Sequence, residues 1–161
     1  MHHLQVHADN QQTLGLEYLA IVRVLKKYYD ALYRCDTELL SQVFHASAQY
    51  FTAASGKLVH LDMGTYFPIV EQRVSPESSG EAYGFFIDSI EFMGDVTAIA
   101  HMRSSLFSKN FIDLLALIKI DDKWQIISKV FHYTNQHDMN SNQPIQMTKR
   151  ASVYHPSANI C

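Results

Sequence analysis

The chain has 161 residues, of which 47% are hydrophobic and 18% are charged, and its formal net charge is -3 at pH 7. This length and composition predict one globular domain whose core needs no disulfides. The slight acidic balance argues against nucleic acid as a partner, and no apolar stretch approaches the ~20 residues of a membrane span, so we expect no membrane contact. The two cysteines, Cys35 and Cys161, form no disulfide framework, which favours a cytoplasmic location.

Three helices are predicted in the first half of the chain, after a flexible N-terminus over residues 1–13. Apolar side chains recur at helical spacing from Leu14 to Arg34, which indicates an amphipathic helix. Asp36 is placed to cap a second, shorter helix, and Asp62 to cap a third. Between those two helices, Ser55-Gly56-Lys57 supplies the turn of a predicted hairpin.

Four β-rich runs follow, and the short connections between them require antiparallel neighbours. The runs are Tyr83 to Phe92, Val96 to Phe107, Phe111 to Ile120 and Trp124 to Tyr133. The chain then becomes polar without a sustained period, so residues 134–161 are predicted to be an extended or partly disordered tail. Helices followed by meander strands predict an α+β domain over residues 14–133, with the helices on one face of a curved antiparallel sheet.

A family resemblance is carried by four segments, which are Tyr28-Tyr29-Asp30-Ala31-Leu32-Tyr33 with Asp36, Phe44-His45, Arg73-Val74-Ser75-Pro76, and the chain from Asp113 to His132. Together they resemble the nuclear transport factor 2-like superfamily. The ending, from Phe111-Ile112-Asp113-Leu114-Leu115 to Lys129-Val130-Phe131-His132, is similar to the small bacterial proteins of the putative lumazine-binding family. The resemblance implies a cone-shaped fold, a pocket between helices and concave sheet, and usually a homodimer. It implies no settled activity, because the relatives include ketosteroid isomerases, SnoaL-like cyclases, dehydratases and binding proteins.

Two assumed turns, Asp121-Asp122 and Ser108-Lys109-Asn110, decide which side chains share a face of the sheet. With these turns, the face that contains Trp124 also contains Asp113 and His132. The same face then carries His101, Arg103 and Phe111. We expect it to point into the pocket, because the Trp-x-Ile pattern resembles the inward strand of the family. A slip of one residue in either turn would reverse the corresponding strand.

The opposite face of these strands is also apolar, and a monomer would expose it to water. It carries Ile112, Leu114, Ala116, Ile118, Ile127 and Phe131 in the assumed register. We therefore expect a homodimer through the outer face of the sheet.

The polar residues of the expected pocket have two interpretations. In the first they are catalytic: His132 or His101 exchanges a proton near neutral pH, and Asp113 orients or tunes the histidine. Beside Arg103, Asp113 would keep its charge, whereas alone it could act as an acid. In the second interpretation they form a structural polar network that closes the wide end of the cone.

Aromatic residues supply most of the remaining candidates for ligand binding. Tyr28 falls where the ketosteroid isomerases carry their oxyanion-binding tyrosine, but Thr52 stands where those enzymes have an aspartate base, so that mechanism is disfavoured. Tyr50 could line the pocket or pack in the core. His45, which could instead interact with the end of the second helix, and Phe67 on the third complete the set.

Sequence motifs for metals and phosphates do not occur. The chain has no His-Glu-x-x-His, no Cys-x-x-Cys and no calcium loop, and Ser55-Gly56-Lys57 lacks the rest of a phosphate loop, so we expect neither metal nor cofactor. Two hypotheses remain. The chain is either a pocket protein that binds a small, partly aromatic ligand, or a cofactor-independent enzyme for dehydration, cyclisation or isomerisation by acid/base chemistry.

Overall fold

The computed structural model describes the backbone of residues 2–136 and the side chains of residues 11–136. Its elements are α1 (His2–Arg34), α2 (Thr37–Val43), β1 (Phe44–Thr52), β2 (Val59–Asp62), α3 (Met63–Glu71), β3 (Phe85–Phe92), β4 (Thr97–Leu106), β5 (Lys109–Ile120) and β6 (Lys123–Asn135). The predicted tail lies outside the described residues from position 137 onward.

The six strands form one sheet in the order β2-β1-β6-β5-β4-β3. Every neighbouring pair is antiparallel except β1 and β6, which run parallel. The buried side chains of the three helices and of the inner sheet face make one continuous core. The predicted α+β class, with helices packed on a curved and mostly antiparallel sheet, is confirmed.

Helix α1 buries the stripe that its sequence period predicts. Ile21, Leu25, Tyr28 and Leu32 are all buried, at spacings of four, three and four residues. The helix begins at His2 rather than at Leu14. Residues 2–13 contain neither glycine nor proline, so no helix-breaking residue interrupts the segment that we expected to be a flexible terminus.

Aspartates cap the two shorter helices, as predicted. The Asp36 Oδ1 accepts a hydrogen bond of 2.8 Å from the amide nitrogen of Leu39, and the Asp62 Oδ1 accepts one of 2.8 Å from the amide nitrogen of Thr65. Each bond satisfies an amide that the first turn of a helix otherwise leaves without a partner. The two caps fix where α2 and α3 begin relative to β1 and β2.

The turn between β4 and β5 differs from the predicted three-residue loop. Phe107-Ser108 forms a two-residue turn with φ of 55° and 57°, which suits the twist of a tight hairpin. Met102 therefore pairs with Asp113, and the inner and outer faces of β4 are the reverse of those predicted. His101 and Arg103 are exposed on the outer face, so their predicted place beside Asp113 is wrong.

A β-bulge in β6 changes the face of the second half of that strand. The Asp121-Asp122 turn is a two-residue turn as predicted, but the register shifts by one residue at Ile127. Beyond the bulge, Asp113 pairs with Phe131, which is buried on the inner face instead of lying outside. His132 is exposed on the outer face. The prediction that Asp113 and His132 share a face is therefore wrong.

Candidate functional site

A cavity of about 470 Å³ lies between the helices and the inner face of the sheet. Side chains of α1, β1, α3, β4, β5 and β6 all contribute to its wall. Seven of the 17 lining residues are aromatic, namely Tyr28, Tyr50, Tyr66, Phe107, Phe111, Phe131 and Tyr133. Aromatic walls of this kind favour a flat or apolar ligand.

Three polar side chains meet at the buried end of the cavity. The Lys129 Nζ donates a hydrogen bond of 2.6 Å to the Tyr28 hydroxyl, which donates one of 2.8 Å to Asp113 Oδ2. The Lys129 Nζ also lies 3.5 Å from the same carboxylate oxygen. Lys129, Tyr28 and Asp113 are 3%, 1% and 2% exposed, so the ion pair and its bridging hydroxyl are shielded from bulk water.

Each member of this group is positioned by a different local cause. Tyr28 belongs to the buried stripe of α1. The bulge at Ile127 brings Lys129 to the inner face, where strict alternation would have placed it outside. Asp113 reaches the same face by regular alternation along β5 with the buried Leu115 and Leu117. The group therefore depends on one helix face and one irregularity in the sheet.

Burial dominates the electrostatics of the group. It lowers the pKa of Lys129 below the ordinary lysine value, and the Asp113 carboxylate opposes that shift. Burial and the same carboxylate raise the pKa of Tyr28 well above its ordinary value, so Tyr28 keeps its proton at neutral pH. The Lys129 Nζ also lies 4.4 Å from the centroid of the Phe131 ring, whose face attracts a cation.

The second carboxylate oxygen of Asp113 is a buried acceptor. Asp113 Oδ1 has no hydrogen-bond partner among the described residues. Leaving such an acceptor unsatisfied costs about 1–3 kcal/mol. Because Asp113 lines the cavity, the donor of a bound molecule could satisfy this oxygen.

Positive charge prevails around the cavity. Its described lining contains Arg73, Lys109 and Lys129 and only one carboxylate, that of Asp113. Arg73 is exposed, and its guanidinium carbon lies 5.0 Å from the centroid of the Phe107 ring. The exposed end of the cavity, which we call the mouth, therefore presents a cation beside an aromatic surface.

The predicted site residues divide between this cavity and other surfaces. Tyr28, Tyr50, Phe111 and Asp113 line the cavity. His45 and Phe67 line a separate depression between α2, β1 and α3, where the His45 Nδ1 accepts a hydrogen bond from the amide of Ser47.

The remaining three predicted residues lie on the outer face of the sheet. Arg103 donates two hydrogen bonds of 2.7 Å to Asp88 and, with His132, lines a groove on that face. His101 lies 3.3 Å from the Ser89 hydroxyl. The sheet separates these side chains from Asp113, so none of them can exchange a proton with it directly.

Lys129 and Arg73 are cavity residues that the sequence reasoning did not select. Lys129 and Ser128 stand between the apolar pairs Ile126-Ile127 and Val130-Phe131, and a lysine between such pairs is the signal that could have identified it. Arg73 belongs to the Arg73-Val74-Ser75-Pro76 segment that carries the family resemblance, but no local pattern there indicates a pocket.

Among the described residues, no group of three or more His, Cys, Asp or Glu side chains could hold a metal ion. No helix in the described part of the chain is long and apolar enough to cross a membrane.

Comparison with known sequences gives one family and one curated relative. A family model described as putative lumazine-binding matches residues 17–132. The aldolase FrzH of Cladobotryum is similar to this chain, with 28% identity over 118 residues that cover 72% of this chain and 90% of that protein.

Solved structures share the architecture. An NTF2-like protein of unknown function from Silicibacter pomeroyi superimposes with a TM-score of 0.68 at 20% identity, over 75% of this chain and 98% of the other. An NTF2-like protein of unknown function from Shewanella baltica gives a TM-score of 0.65 at 25% identity, over 74% and 95%. A cystatin-like domain of unknown function from Nostoc punctiforme gives 0.59 at 18% identity, over 76% and 80%. These structural similarities show that the chain has the same fold as these proteins.

Proposed function

We propose, from the premise that this chain belongs to the putative lumazine-binding family of nuclear transport factor 2-like proteins, that its cavity binds a small, partly aromatic and negatively charged molecule. The observation that carries the proposal is the cavity itself. Its volume of about 470 Å³ and the aromatic residues of its wall are typical of sites for small organic ligands.

The charges of the wall support an anionic ligand. Arg73 and Lys109 add positive charge that no other described side chain of the lining offsets, because Asp113 is already paired with Lys129. A cleft of one sign with apolar walls concentrates ligands of the opposite sign. A carboxylate at the mouth would therefore gain Coulomb energy without displacing a carboxylate partner in the described lining.

The buried end of the cavity supports an oxygen-bearing ligand. The Lys129 Nζ is a strong donor, and Asp113 Oδ1 is an acceptor without a partner among the described residues. A hydroxyl group can accept from Lys129 and donate to Asp113 at once. The complementary ligand is thus an aromatic acid with an oxygen at the end opposite its carboxylate.

Lumazine, to which the family name refers, fits part of this description. It is planar, its ring carbonyls match the Lys129 donor, and a ring N–H matches the open oxygen of Asp113. It offers no carboxylate to Arg73 or Lys109. Lumazine is therefore the alternative ligand, and its binding is measured beside that of the aromatic acids.

Titration calorimetry tests the proposal with a matched ligand pair. We expect 4-hydroxymethylbenzoate to bind and its amide to bind more weakly, because only the acid carries a charge for Arg73. Arg73→Gln should reduce the difference between acid and amide, whereas Arg23→Gln, at an exposed position of α1, should not. Equal affinity of acid and amide would contradict the proposal that the ligand is negatively charged. If lumazine alone binds, lumazine replaces the aromatic acids as the proposed ligand.

A second candidate function is acid/base catalysis on a carbonyl compound. The chain of hydrogen bonds from Lys129 through Tyr28 to Asp113 favours it, since it places a base, a donor and a carboxylate at one end of the cavity. The similarity to the aldolase FrzH points to the same class of chemistry. The roles that the sequence suggested for His132 and His101 would fall to Lys129 as base and Tyr28 as donor.

Exchange of carbon-bound protons tests this second candidate. A ketone that the enzyme deprotonates should exchange the hydrogens beside its carbonyl with D2O, which proton NMR follows. We expect exchange of phenylpyruvate above the buffer rate with the native chain and loss of that excess in Lys129→Met. The exposed Lys57→Met should exchange like the native chain, and a buffer-level rate throughout would leave binding as the function.

We also propose that the protein acts as a homodimer in the cytoplasm. Support for the dimer comes from the outer sheet face, where Phe86, Ile112 and Val130 are 66%, 59% and 44% exposed. Val130 pairs with Leu114, two residues from Ile112, and contiguous apolar surface of this kind is typical of protein interfaces. Support for the location comes from the low cysteine content, which suits a reducing compartment.

A further inference from the structure

We propose that Lys129 binds aldehydes and ketones covalently, as an iminium ion formed inside the cavity. The inference rests on the proposed function, because the carbonyl compound must first occupy the cavity. It adds a substrate class and a covalent bond to a site that otherwise holds its ligand by charge, hydrogen bonds and packing.

The position of Lys129 suits a nucleophile. Its amine is nearly enclosed by aromatic rings, with centroids 5.3 Å away for Tyr28, 5.6 Å for Tyr50, 5.6 Å for Phe111 and 4.4 Å for Phe131. All four rings line the cavity, so a ligand among them lies beside the amine. Removal from bulk water disfavours the ammonium form, and a lysine in an apolar pocket is a recurrent Schiff-base nucleophile.

The iminium ion would keep the stabilising contacts that the ammonium has. It carries the same positive charge on the same nitrogen, so the Asp113 carboxylate remains its counter-ion. The aromatic faces around it attract an iminium as they attract an ammonium. The Asp113 carboxylate and the aromatic rings therefore stabilise the buried charge both before and after the iminium forms.

Proton transfer along the hydrogen-bonded group balances the reaction. The ammonium of Lys129 gives one proton, through the Tyr28 hydroxyl, to Asp113, and the neutral amine adds to the carbonyl carbon. The new C–N bond forms as the carbonyl oxygen takes a proton from the nitrogen, which gives a carbinolamine. Asp113 then returns its proton through Tyr28 to that hydroxyl, the C–O bond breaks, and water leaves. No oxidant, reductant or further reactant is consumed.

A purely structural role for Lys129 explains the geometry less well. A buried ion pair is seldom more stable than apolar residues of the same volume, so its presence indicates another use. A structural carboxylate would also be expected to satisfy both of its oxygens, yet Asp113 Oδ1 has no partner among the residues that the structure describes. The carboxylate that bears this oxygen lies beside the amine, with its Oδ2 3.5 Å from Lys129 Nζ.

Reductive trapping tests the proposal directly. The native chain is incubated with 4-formylbenzoate and sodium cyanoborohydride, which reduces an iminium to a stable secondary amine. We expect a single adduct whose mass increment equals that of the aldehyde less one oxygen, and peptide mapping should place it on Lys129. Binding of 4-hydroxymethylbenzoate, which has the same shape but cannot form an imine, is measured in parallel and should block the labelling.

Matched variants identify the amine. Lys129→Met and Lys129→Arg should lose the adduct, while Lys57→Met, which removes an exposed lysine of the β1–β2 turn, should retain it. Labelling spread over exposed lysines, or no labelling while the alcohol still binds, would overturn the covalent step and leave the proposed function standing. Failure of both the aldehyde and the alcohol to bind would overturn both. Mapping of the native chain decides the matter even if the Lys129 variants fold poorly.

Discussion

Removing the charge of Lys129 should destabilise the fold, and removing that of Asp113 as well should restore much of the loss. In Lys129→Met the carboxylate of Asp113 stays buried with the Tyr28 hydroxyl as its one hydrogen-bond donor among the described residues. Breaking a buried pair in this way costs about 3–5 kcal/mol. Since whole domains are stable by about 5–15 kcal/mol, the single variant should lie close to unfolding.

The double variant Lys129→Met with Asp113→Asn tests the reason for that loss. It has no unpaired buried charge, so its free energy of unfolding should exceed that of Lys129→Met alone, although it carries one more substitution. Urea denaturation followed by circular dichroism measures all of the variants.

Lys119→Met is the matched control for Lys129→Met. It removes a lysine from the more exposed pair with Glu17, so it should cost far less stability than Lys129→Met. Additive losses in the double variant would refute the view that Lys129 and Asp113 act as one buried pair.

Three further outcomes follow from the same geometry. The lowered pKa of Lys129 means that the unfolded chain binds more protons than the folded one between that pKa and about 10.4, so native stability should rise with pH through this window. Urea midpoints of the native chain and of Lys129→Met, compared up to pH 9.5, should show the larger rise in the native chain, and parallel curves would contradict the shift. Tyr28→Phe should slow reductive labelling of Lys129 without moving the label, as timed mass spectra would show, because proton transfer to Asp113 loses its bridge. Ile112→Asp should convert a dimer to a monomer in light scattering, whereas the exposed Val74→Asp should not, and an unchanged mass for Ile112→Asp would place the interface elsewhere.

The sequence predicted the helical half of the site well. The period of α1 identified Tyr28 as an inward residue, because a helical face is set by spacing along a regular element and needs no knowledge of its neighbours. Asp36 and Asp62 were likewise recognisable as caps from local sequence. Such features depend on interactions within a few residues.

The predicted faces of β4 and of the second half of β6 are wrong because of two shifts of register. Phe107 adopts a positive φ, which a bulky side chain seldom does, so the turn at that point was placed too late in the chain. The bulge at Ile127 reversed the rest of β6, which put Lys129 inside and His132 outside. Because side chains alternate with a period of two, an error of one residue in the register predicts the wrong face for every residue of the strand beyond it.

A crystal structure of the protein with 4-hydroxymethylbenzoate would show whether the cavity is a binding site. We expect the ring among the aromatic side chains of the cavity, the hydroxyl within hydrogen-bond distance of Lys129 Nζ and Asp113 Oδ1, and the carboxylate facing Arg73. Density for the ligand outside the cavity, or a cavity closed by its own side chains at a saturating ligand concentration, would contradict the claim that this space is a binding site.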